Sequence, residues 1–274
     1  MEVSLLDFVQ ECRHLAKQAL GKHAGEPASG GFARWKHVVL HCIRIEDDYS
    51  YRELVDRVAL MEAVCDALDL DPDDLPNPST LCKSFDRFEM WVWRQLLRAS
   101  AQQLPTTGHA AIDGTYFERT QPSFHYRRRS GREIQTLNAT VLVDSHTKTV
   151  LDIQPSAKWR HDTAVGPQVA RRNAGDLHSL AADKGYDKNA FRELLRDNDV
   201  RPLVRHCLYT WYDYAHNARL DDSLYNKRWI AETCFSVVKR SHGATVRAQA
   251  WYREFRECVL KFAVYNIERA TSAL

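Results

Sequence analysis

The sequence predicts an α/β protein in which an all-helical N-terminal region precedes a mixed β-sheet. Residues 1–104 carry apolar side chains at helical spacing, whereas β-branched segments alternate with helical ones from residue 105 onward. The period of the apolar residues changes at Pro105. We therefore expect two domains, 1–104 and 105–274, which a chain of 274 residues is long enough to form.

Glycine- and proline-containing breaks divide the N-terminal region into four predicted helices, over residues 3–20, 32–45, 50–69 and 79–103. Ser50 and Glu53 form the pattern of a capping box at the start of the third helix. In the second helix, His37 and His41 lie one turn apart. Two imidazoles without a third ligand favour ordinary packing over metal binding.

The last two of these helices are compatible with a helix-turn-helix that binds DNA ends. Its second helix would present Lys83, Ser84 and Arg87 to the DNA. A helical bundle with solvated charges explains the same pattern equally well, and the sequence leaves both interpretations open.

After Pro105 the predicted order is β, β, β, α, β, α, β, α. The D-S-H-T turn joins the second and third strands as a hairpin, so the first three strands are expected to be antiparallel, and the later ones parallel. Residues 206–223 lack a clear period and are predicted to be a short insertion. This order resembles the ribonuclease H type of fold. The predicted elements are strands at 110–113, 135–143, 148–155, 177–182 and 201–204, and helices at 162–172, 188–196, 224–240 and 252–269.

Composition excludes several classes of protein. Lys and Arg number 38 and Asp and Glu number 36, so the net charge of +2 gives no global signal for nucleic acid and only local patches would bind it. The seven cysteines contain no Cys-x-x-Cys pair, which argues against a disulfide framework or a structural zinc site and favours a reducing cytoplasm. The sequence predicts neither a signal peptide nor a membrane span.

Three acids occupy positions where catalytic carboxylates are expected. Asp113 ends the first predicted strand, Asp183 ends the fourth, and Glu232 lies on a later helix. Three carboxylates can bind two Mg²⁺ or Mn²⁺ ions that lie about 4 Å apart. Two such ions would stabilise an in-line attack on a phosphodiester. Taken singly, each Asp is also explained by turn chemistry and the Glu by solvent exposure. The sequence contains no phosphate-binding loop and no nucleophile elbow.

The helical acid belongs to a spaced set of four residues: Tyr225, Arg228, Glu232 and Lys239. On one continuous helix these positions fall within an arc of about 60°. The opposite face carries the apolar residues Ile230, Cys234, Val237 and Val238. A carboxylate among cations on a helix anchored by apolar residues suits metal binding beside a polyanion.

These residues resemble the DDE transposases of prokaryotic insertion sequences, in the group with the signature Tyr-x₂-Arg-x₃-Glu-x₆-Lys. The phrases A-I-D-G-T-Y-F around Asp113 and A-A-D-K-G-Y-D around Asp183 resemble the first two acidic motifs of that family. The resemblance covers roughly residues 105–270. The resemblance implies an enzyme that cuts terminal inverted repeats and joins the freed 3′-hydroxyls to target DNA. Such an enzyme would be cytoplasmic, in a prokaryote, and associated with the nucleoid. Two divalent ions would be held by Asp113, Asp183 and Glu232.

The resemblance also implies DNA contacts and a homodimer on DNA. Tyr225 and Arg228 would contact DNA near the cut, and Lys239 would contact a phosphate. Arg127, Arg128 and Arg129 form a basic stretch that either lies along DNA or is a solvated loop. In the insertion, we expect Trp211, Tyr212 and Tyr214 to pack. The alternative is that these aromatic residues contact a flipped base, as aromatic residues of the corresponding insertion do in some relatives.

Two competing functions remain at this stage. A metal-dependent nuclease of the same fold would cut DNA without strand transfer, and the three acids do not distinguish it from a transposase. An inactive DNA-binding relic would keep the fold, but the complete set of acids argues against it.

Overall fold

The computed structural model describes residues 4–119, 136–157 and 162–273. The chain forms two compact units. The first comprises Met1–Gln103, Arg240–Gly243 and Tyr252–Leu274, and the second comprises Leu104–Lys239 and Ala244–Trp251. The second unit begins at Leu104, and the period of the apolar residues changes at Pro105. The C-terminal helix, however, belongs to the first unit, although the predicted division placed it in the domain 105–274.

The first unit begins with six helices, which subdivide two of the predicted ones. Predicted helix 50–69 is interrupted near Leu60 and predicted helix 79–103 is interrupted at Phe88, whose backbone is extended. The capping box is present, because Ser50 Oγ accepts from Glu53 N–H and the Glu53 carboxylate accepts from Ser50 N–H. The helices are α1 Leu5–Leu20, α2 Arg34–Glu46, α3 Tyr51–Val58, α4 Glu62–Ala67, α5 Pro78–Arg87 and α6 Met90–Ala101.

Both histidines of α2 are buried in the core of this unit. His37 Nε2 lies 3.0 Å from the carbonyl oxygen of Ser29, and His41 Nε2 lies 3.0 Å from Ser84 Oγ. The His41 ring also packs against aromatic rings, among them that of Trp93. These contacts are the ordinary packing that the sequence predicted for the pair.

The second unit contains a mixed sheet with the strand order β3-β2-β1-β4-β5. Strand β1 pairs antiparallel with β2 and β2 with β3, whereas β1 pairs parallel with β4 and β4 with β5. The short strand β6 pairs parallel with the end of β1. The strands are β1 His109–Arg119, β2 Leu137–Asp144, β3 Val150–Ser156, β4 Ser179–Ala182, β5 Arg201–Val204 and β6 Thr245–Val246.

Strand β1 is longer than predicted. The predicted strand ended at Asp113, because the pair Asp-Gly is typical of turns. The strand instead continues through T-Y-F, with Thr115 and Phe117 buried and Tyr116 exposed. β-branched and aromatic residues of alternating burial favour a strand, and here they override the turn signal.

Helices cover the sheet of the second unit. Helices α7 and α8 contribute to a core that includes Ile112, Leu180, Val169 and Phe191. Residues 206–223, predicted without a period, contain helix α9 and the start of α10. The helices are α7 Asp162–Asn173, α8 Asn189–Arg196, α9 Trp211–Ala218, α10 Asp222–Tyr225 and α11 Trp229–Ser241.

The last helix, α12 Trp251–Ala273, begins one residue before its predicted start at 252, and its residues 257–267 are all buried. The buried ammonium of Lys261 is satisfied because it donates to the carbonyl oxygens of His242 and Gly243. Within the described residues, no helix is long and apolar enough to span a membrane.

Candidate active site

The register of two parallel strands places the first two acids side by side. Ile112 in β1 is paired with Ala182 in β4, and this is the last pair of that ladder. Asp113 and Asp183 are the next residues on these neighbouring strands, which in sheets lie about 4.8 Å apart. The sequence predicted both acids at strand ends, and the parallel pairing explains why the two belong together.

Backbone N–H groups orient both carboxylates. Asp113 Oδ1 accepts a hydrogen bond from Gly114 N–H at 2.8 Å, and Asp183 Oδ1 accepts one from Gly185 N–H at 2.8 Å. A Cβ at position 185 would lie 2.9 Å from Asp183 Oδ1, so a larger residue there would displace this carboxylate. Behind this loop, the ring of Tyr186 packs so closely on Gly166 of α7 that a Cβ at 166 would lie 2.5 Å from it. The second acid is therefore held by a tightly packed turn.

The third acid reaches the first through an arginine. Glu232 lies in the first turn of α11, and its side chain is 60% exposed. Arg228 Nη1 lies 3.4 Å from Glu232 Oε1 and 3.8 Å from Asp113 Oδ2. The guanidinium therefore bridges the two carboxylates and partly neutralises them.

The electrostatics of Asp113 reflect all three acids. The pKa of Asp113 is raised to about 6, mainly by burial and in addition by the nearby carboxylates of Asp183 and Glu232. The Gly114 N–H and the Arg228 guanidinium act in the opposite direction on this pKa. The side chain of Asp113 is only 17% exposed. A carboxylate that is costly to ionise and lies among other acids stores electrostatic free energy, which a bound cation would release.

The donor chemistry of the three acids fits divalent ions that prefer oxygen ligands. In the arrangement described here, Arg228 occupies the space between Asp113 and Glu232. Accordingly, the described part of the chain contains no group of three or more His, Cys, Asp or Glu side chains close enough to hold an ion. Convergence of the carboxylates on a cation requires the guanidinium to move.

A protein-family model described as the transposase DDE domain matches residues 105–267. This match covers more than half of the chain and contains all three acids. The chain belongs to the DDE transposase domain family. A search of curated proteins gave no match.

Two solved structures give the scale of the structural similarity. The piggyBac transposase synaptic complex with hairpin DNA has a TM-score of 0.48 and 11% identity, with coverage of 100% of this chain and 67% of that chain. The Mos1 transposase paired-end complex with the left transposon end has a TM-score of 0.26 and 11% identity, with coverage of 76% and 79%.

In this transposase the four signature residues do not share one continuous α-helix. Tyr225 ends α10, Arg228 lies in the 3₁₀ turn 226–228, and α11 begins only at residue 229. The Tyr225 ring is 7% exposed, and the Arg205 guanidinium lies 4.4 Å from its centroid. The expected contact of the Tyr225 ring with DNA near the cut would therefore require the ring to leave this packed position.

The last signature residue contacts an aromatic ring that the sequence analysis did not single out. Lys239 Nζ lies 4.7 Å from the ring centroid of Tyr116 and 5.7 Å from that of Phe117. Tyr116 is exposed and follows Asp113 by three residues in β1. The alternation of burial along T-Y-F would have revealed this residue if the strand had been extended past Asp113.

The remaining predicted DNA contacts differ in outcome. Lys83 and Arg87 are exposed on α5, but Ser84 is fully buried, so the predicted presentation of all three to DNA is wrong for the serine. The serine hydroxyl donates to the carbonyl oxygen of Leu81. Arg127, Arg128 and Arg129 lie outside the described residues, and their contact with DNA stays a prediction.

The aromatic residues of α9 do not pack, which corrects the expectation from the sequence. Trp211 is 79% exposed, Tyr212 and Tyr214 are also exposed, and α9 has no buried residue. The preceding loop is nevertheless ordered by Asp213, whose carboxylate accepts from Thr210 N–H and lies 2.9 Å from His206 Nδ1. Polar contacts rather than an apolar core therefore hold this segment in place.

Proposed function

We propose that the chain is the transposase of a prokaryotic insertion sequence. It cuts at the terminal inverted repeats of the element and joins the freed 3′-hydroxyls to target DNA. The observation that carries the proposal is the set of three acids: Asp113 lies within β1, Asp183 directly follows the neighbouring strand β4, and Glu232 is joined to Asp113 through Arg228. The family match and the complete four-residue signature support it.

The fold of the second unit is assigned to the ribonuclease H type. Three antiparallel strands followed by two parallel ones, in the order β3-β2-β1-β4-β5, support this assignment. The order puts β1 at the centre of the sheet, beside the strand that precedes Asp183. A central strand with neighbours on both sides gives Asp113 a rigid position, which catalytic geometry requires.

Asp113, Asp183 and Glu232 would hold two Mg²⁺ or Mn²⁺ ions. Bound there, such ions activate the attacking hydroxyl and stabilise the leaving oxygen of a phosphodiester. The protein itself would orient the ligands, because Gly114 N–H and Gly185 N–H each donate a hydrogen bond to one of the two aspartates. The burial of Asp113 limits the access of water to its carboxylate. The exposed Glu232 can approach from its helix, because no packing restrains its carboxylate.

The signature cations are assigned to DNA phosphates. Arg228 neutralises Asp113 and Glu232 in the free protein, and its planar guanidinium suits a bidentate phosphate contact once it is released. Lys239 suits a point-charge contact to a phosphate, with Tyr116 beside it. We propose two further groups of DNA contacts: Lys83 and Arg87, which are exposed on α5, and the basic stretch Arg127–Arg129.

The exposed aromatic residues of α9 are proposed to stack on unpaired bases near the cut. Trp and Tyr stack on any base, so this contact needs no sequence preference. Their exposure supports the proposal, because large apolar side chains without packing partners are costly unless they serve binding.

A transposase must bring two DNA ends together, so a homodimer on DNA is proposed. The protein is proposed to act in the cytoplasm of a prokaryote.

The experiment that tests this function is cleavage and joining of labelled DNA that carries the element's own ends. Purified protein is supplied with Mg²⁺, with Ca²⁺, or with EDTA, and Glu232→Gln is the matched variant because its side chain is exposed and the change is nearly isosteric. Mg²⁺-dependent release of 3′-hydroxyls followed by joined products, absent in the variant, is expected. Cutting without joining would favour a metal-dependent nuclease, and binding without cutting in any metal would favour an inactive relic.

A further inference from the structure

Three imidazole rings and a lysine meet at the start of β1 in the second unit. The ring centroid of His109 lies 5.7 Å from that of His146 and 6.0 Å from that of His178. Lys227 Nζ donates a hydrogen bond to His146 Nε2. We call His109, His146, His178 and Lys227 the histidine patch. Neither the proposed chemistry nor the family signature uses any of these side chains.

The backbone builds the patch. Gly108 has a φ of +73°, its carbonyl oxygen accepts from His178 N–H at 2.7 Å, and a Cβ at this position would lie 2.4 Å from the His178 ring. His109 is paired with Ser179 in the parallel ladder, and His109 Nδ1 lies 2.8 Å from Ser179 Oγ. The close approach of His178 therefore depends on glycine and on the register of β1 with β4.

The acid nearest to the patch is already satisfied. Asp144 is fully buried, and its carboxylate accepts from the N–H groups of Thr107, His146 and Thr147. The pKa of His109 is lowered, first by burial and then by the neighbouring side chains of His146, His178 and Lys227. Asp144 acts in the opposite direction on this pKa. Lys227 brings a positive charge to these rings, and His146 and His178 are exposed to solvent.

The contact between Lys227 and His146 is suited to replacement by an anion. His146 Nε2 accepts from an ammonium only while the imidazole is neutral. A phosphate oxygen placed between the two groups would accept from the ammonium and from a protonated imidazole at once, in two charge-assisted hydrogen bonds. Lys227 and the signature arginine Arg228 are neighbours on the same 3₁₀ turn, so the patch and the three-acid site receive a cation from one element.

We propose that the histidine patch binds a backbone phosphate of the element DNA beside the cut, and that protonation of its histidines strengthens this contact as the pH falls from 8 to 6. The inference rests on the proposed function only in taking DNA as the ligand. It assigns four residues to a DNA contact that the three-acid site and the signature do not include. Histidine is the side chain whose charge ordinarily changes between about pH 5 and 8, so a comparison of pH 8 with pH 6 tests the imidazoles of the patch.

The test is metal-free binding of a fluorescent duplex that carries the element's end, measured in EDTA over a series of salt concentrations at pH 8 and pH 6. Each additional neutralised phosphate steepens the slope of log K against log salt by about 0.9. For the wild-type protein we expect the slope to steepen by about 1 between pH 8 and pH 6. His146→Gln/His178→Gln should lose this change, and Lys227→Met should weaken binding at both pH values.

The matched control is His14→Gln, which alters an exposed histidine of α1 in the first unit and should keep the wild-type change of slope. Equal slopes at both pH values for the wild type would overturn the inference. So would a full pH response in the His146→Gln/His178→Gln variant. Absence of binding by every form at both pH values would overturn the DNA-binding function itself, whereas pH-indifferent binding with normal Mg²⁺-dependent cleavage would remove only the histidine patch.

Discussion

Replacement of Asp113 by asparagine is expected to stabilise the metal-free protein. The pKa of this carboxyl is raised from 3.8 to about 6, first by burial and then by Asp183 and Glu232. The native state therefore binds the proton more tightly than the unfolded state, and stability falls as the pH rises from 3.8 to 6. The penalty is fully present above pH 6 and amounts to about 3 kcal/mol at about 1.36 kcal/mol per pKa unit.

Asparagine removes this penalty because it carries no charge. Its side-chain oxygen can still accept from Gly114 N–H, and the lost attraction to Arg228 is already included in the pKa. We expect Asp113→Asn to raise the free energy of unfolding by about 3 kcal/mol at pH 8, and by roughly half as much at pH 5, where the wild-type carboxyl is mostly protonated in the native state. Urea unfolding in EDTA at the two pH values measures both quantities.

Asp144→Asn is the control of opposite sign. Burial alone would raise the pKa of Asp144, but hydrogen bonds from Thr107, Thr147 and His146 hold it below the usual value. An asparagine there cannot accept all of these bonds, so this variant should be destabilised at pH 8, and the loss should shrink as the pH falls. If Asp113→Asn were neutral or destabilising at pH 8, the argument that the acid site stores electrostatic free energy would be refuted.

Three further predictions concern single side chains. Trp211→Ala should leave the free energy of unfolding within about 0.5 kcal/mol of wild type but lower cleavage of element ends roughly tenfold; a loss of about 3 kcal/mol or more in urea unfolding would instead mean that the ring packs. Burial, followed by Arg44 and His37, lowers the pKa of His41 well below its usual value, so the unfolded state takes up the proton first and stability falls below pH ~6.5. His41→Gln should therefore reduce this acid-induced loss by roughly 1 kcal/mol at pH 5.5 in urea unfolding, and an unchanged pH profile would contradict it. Arg228→Ala should weaken binding of cut ends in gel-shift titrations about tenfold or more while cleavage keeps its Mg²⁺ dependence, and unchanged end binding would remove its assigned role.

Much of the second unit was predictable because its elements are local and strongly patterned. Strand β5 was predicted with the same bounds as observed, and helix α7 within one residue. The extension of β1 was missed because Asp113-Gly114 has the composition of a turn, and only pairing with β2 through Phe117 overrides that preference. Most of α12 groups with the first unit, and the sequence carries no signal for this, since an apolar pattern indicates that a helix is buried but not against which partner.

The acids were predictable individually, whereas their arrangement was not. Strand-end positions identified Asp113 and Asp183, and the parallel register that joins them follows once β1 and β4 are known to be neighbours. The position of Tyr225 inside the unit was not predictable from spacing, because the 3₁₀ turn at 226–228 rotates it away from the face of α11. The exposure of Trp211 was missed for a different reason: aromatic residues usually pack, and a functional surface is an exception to that rule.

The contacts of Arg228 join these results into one physical argument. The guanidinium partly compensates the charge of Asp113, which is destabilised by burial and by repulsion from Glu232. If the same acids hold a divalent cation as proposed, the Arg228 guanidinium would no longer be needed to compensate them and could contact a phosphate. Metal loading and DNA binding are then thermodynamically coupled, and the coupling free energy is the same whichever ligand binds first. Ca²⁺ should consequently tighten end binding by the wild-type protein more than by Arg228→Ala, because only the wild type has an arginine to release.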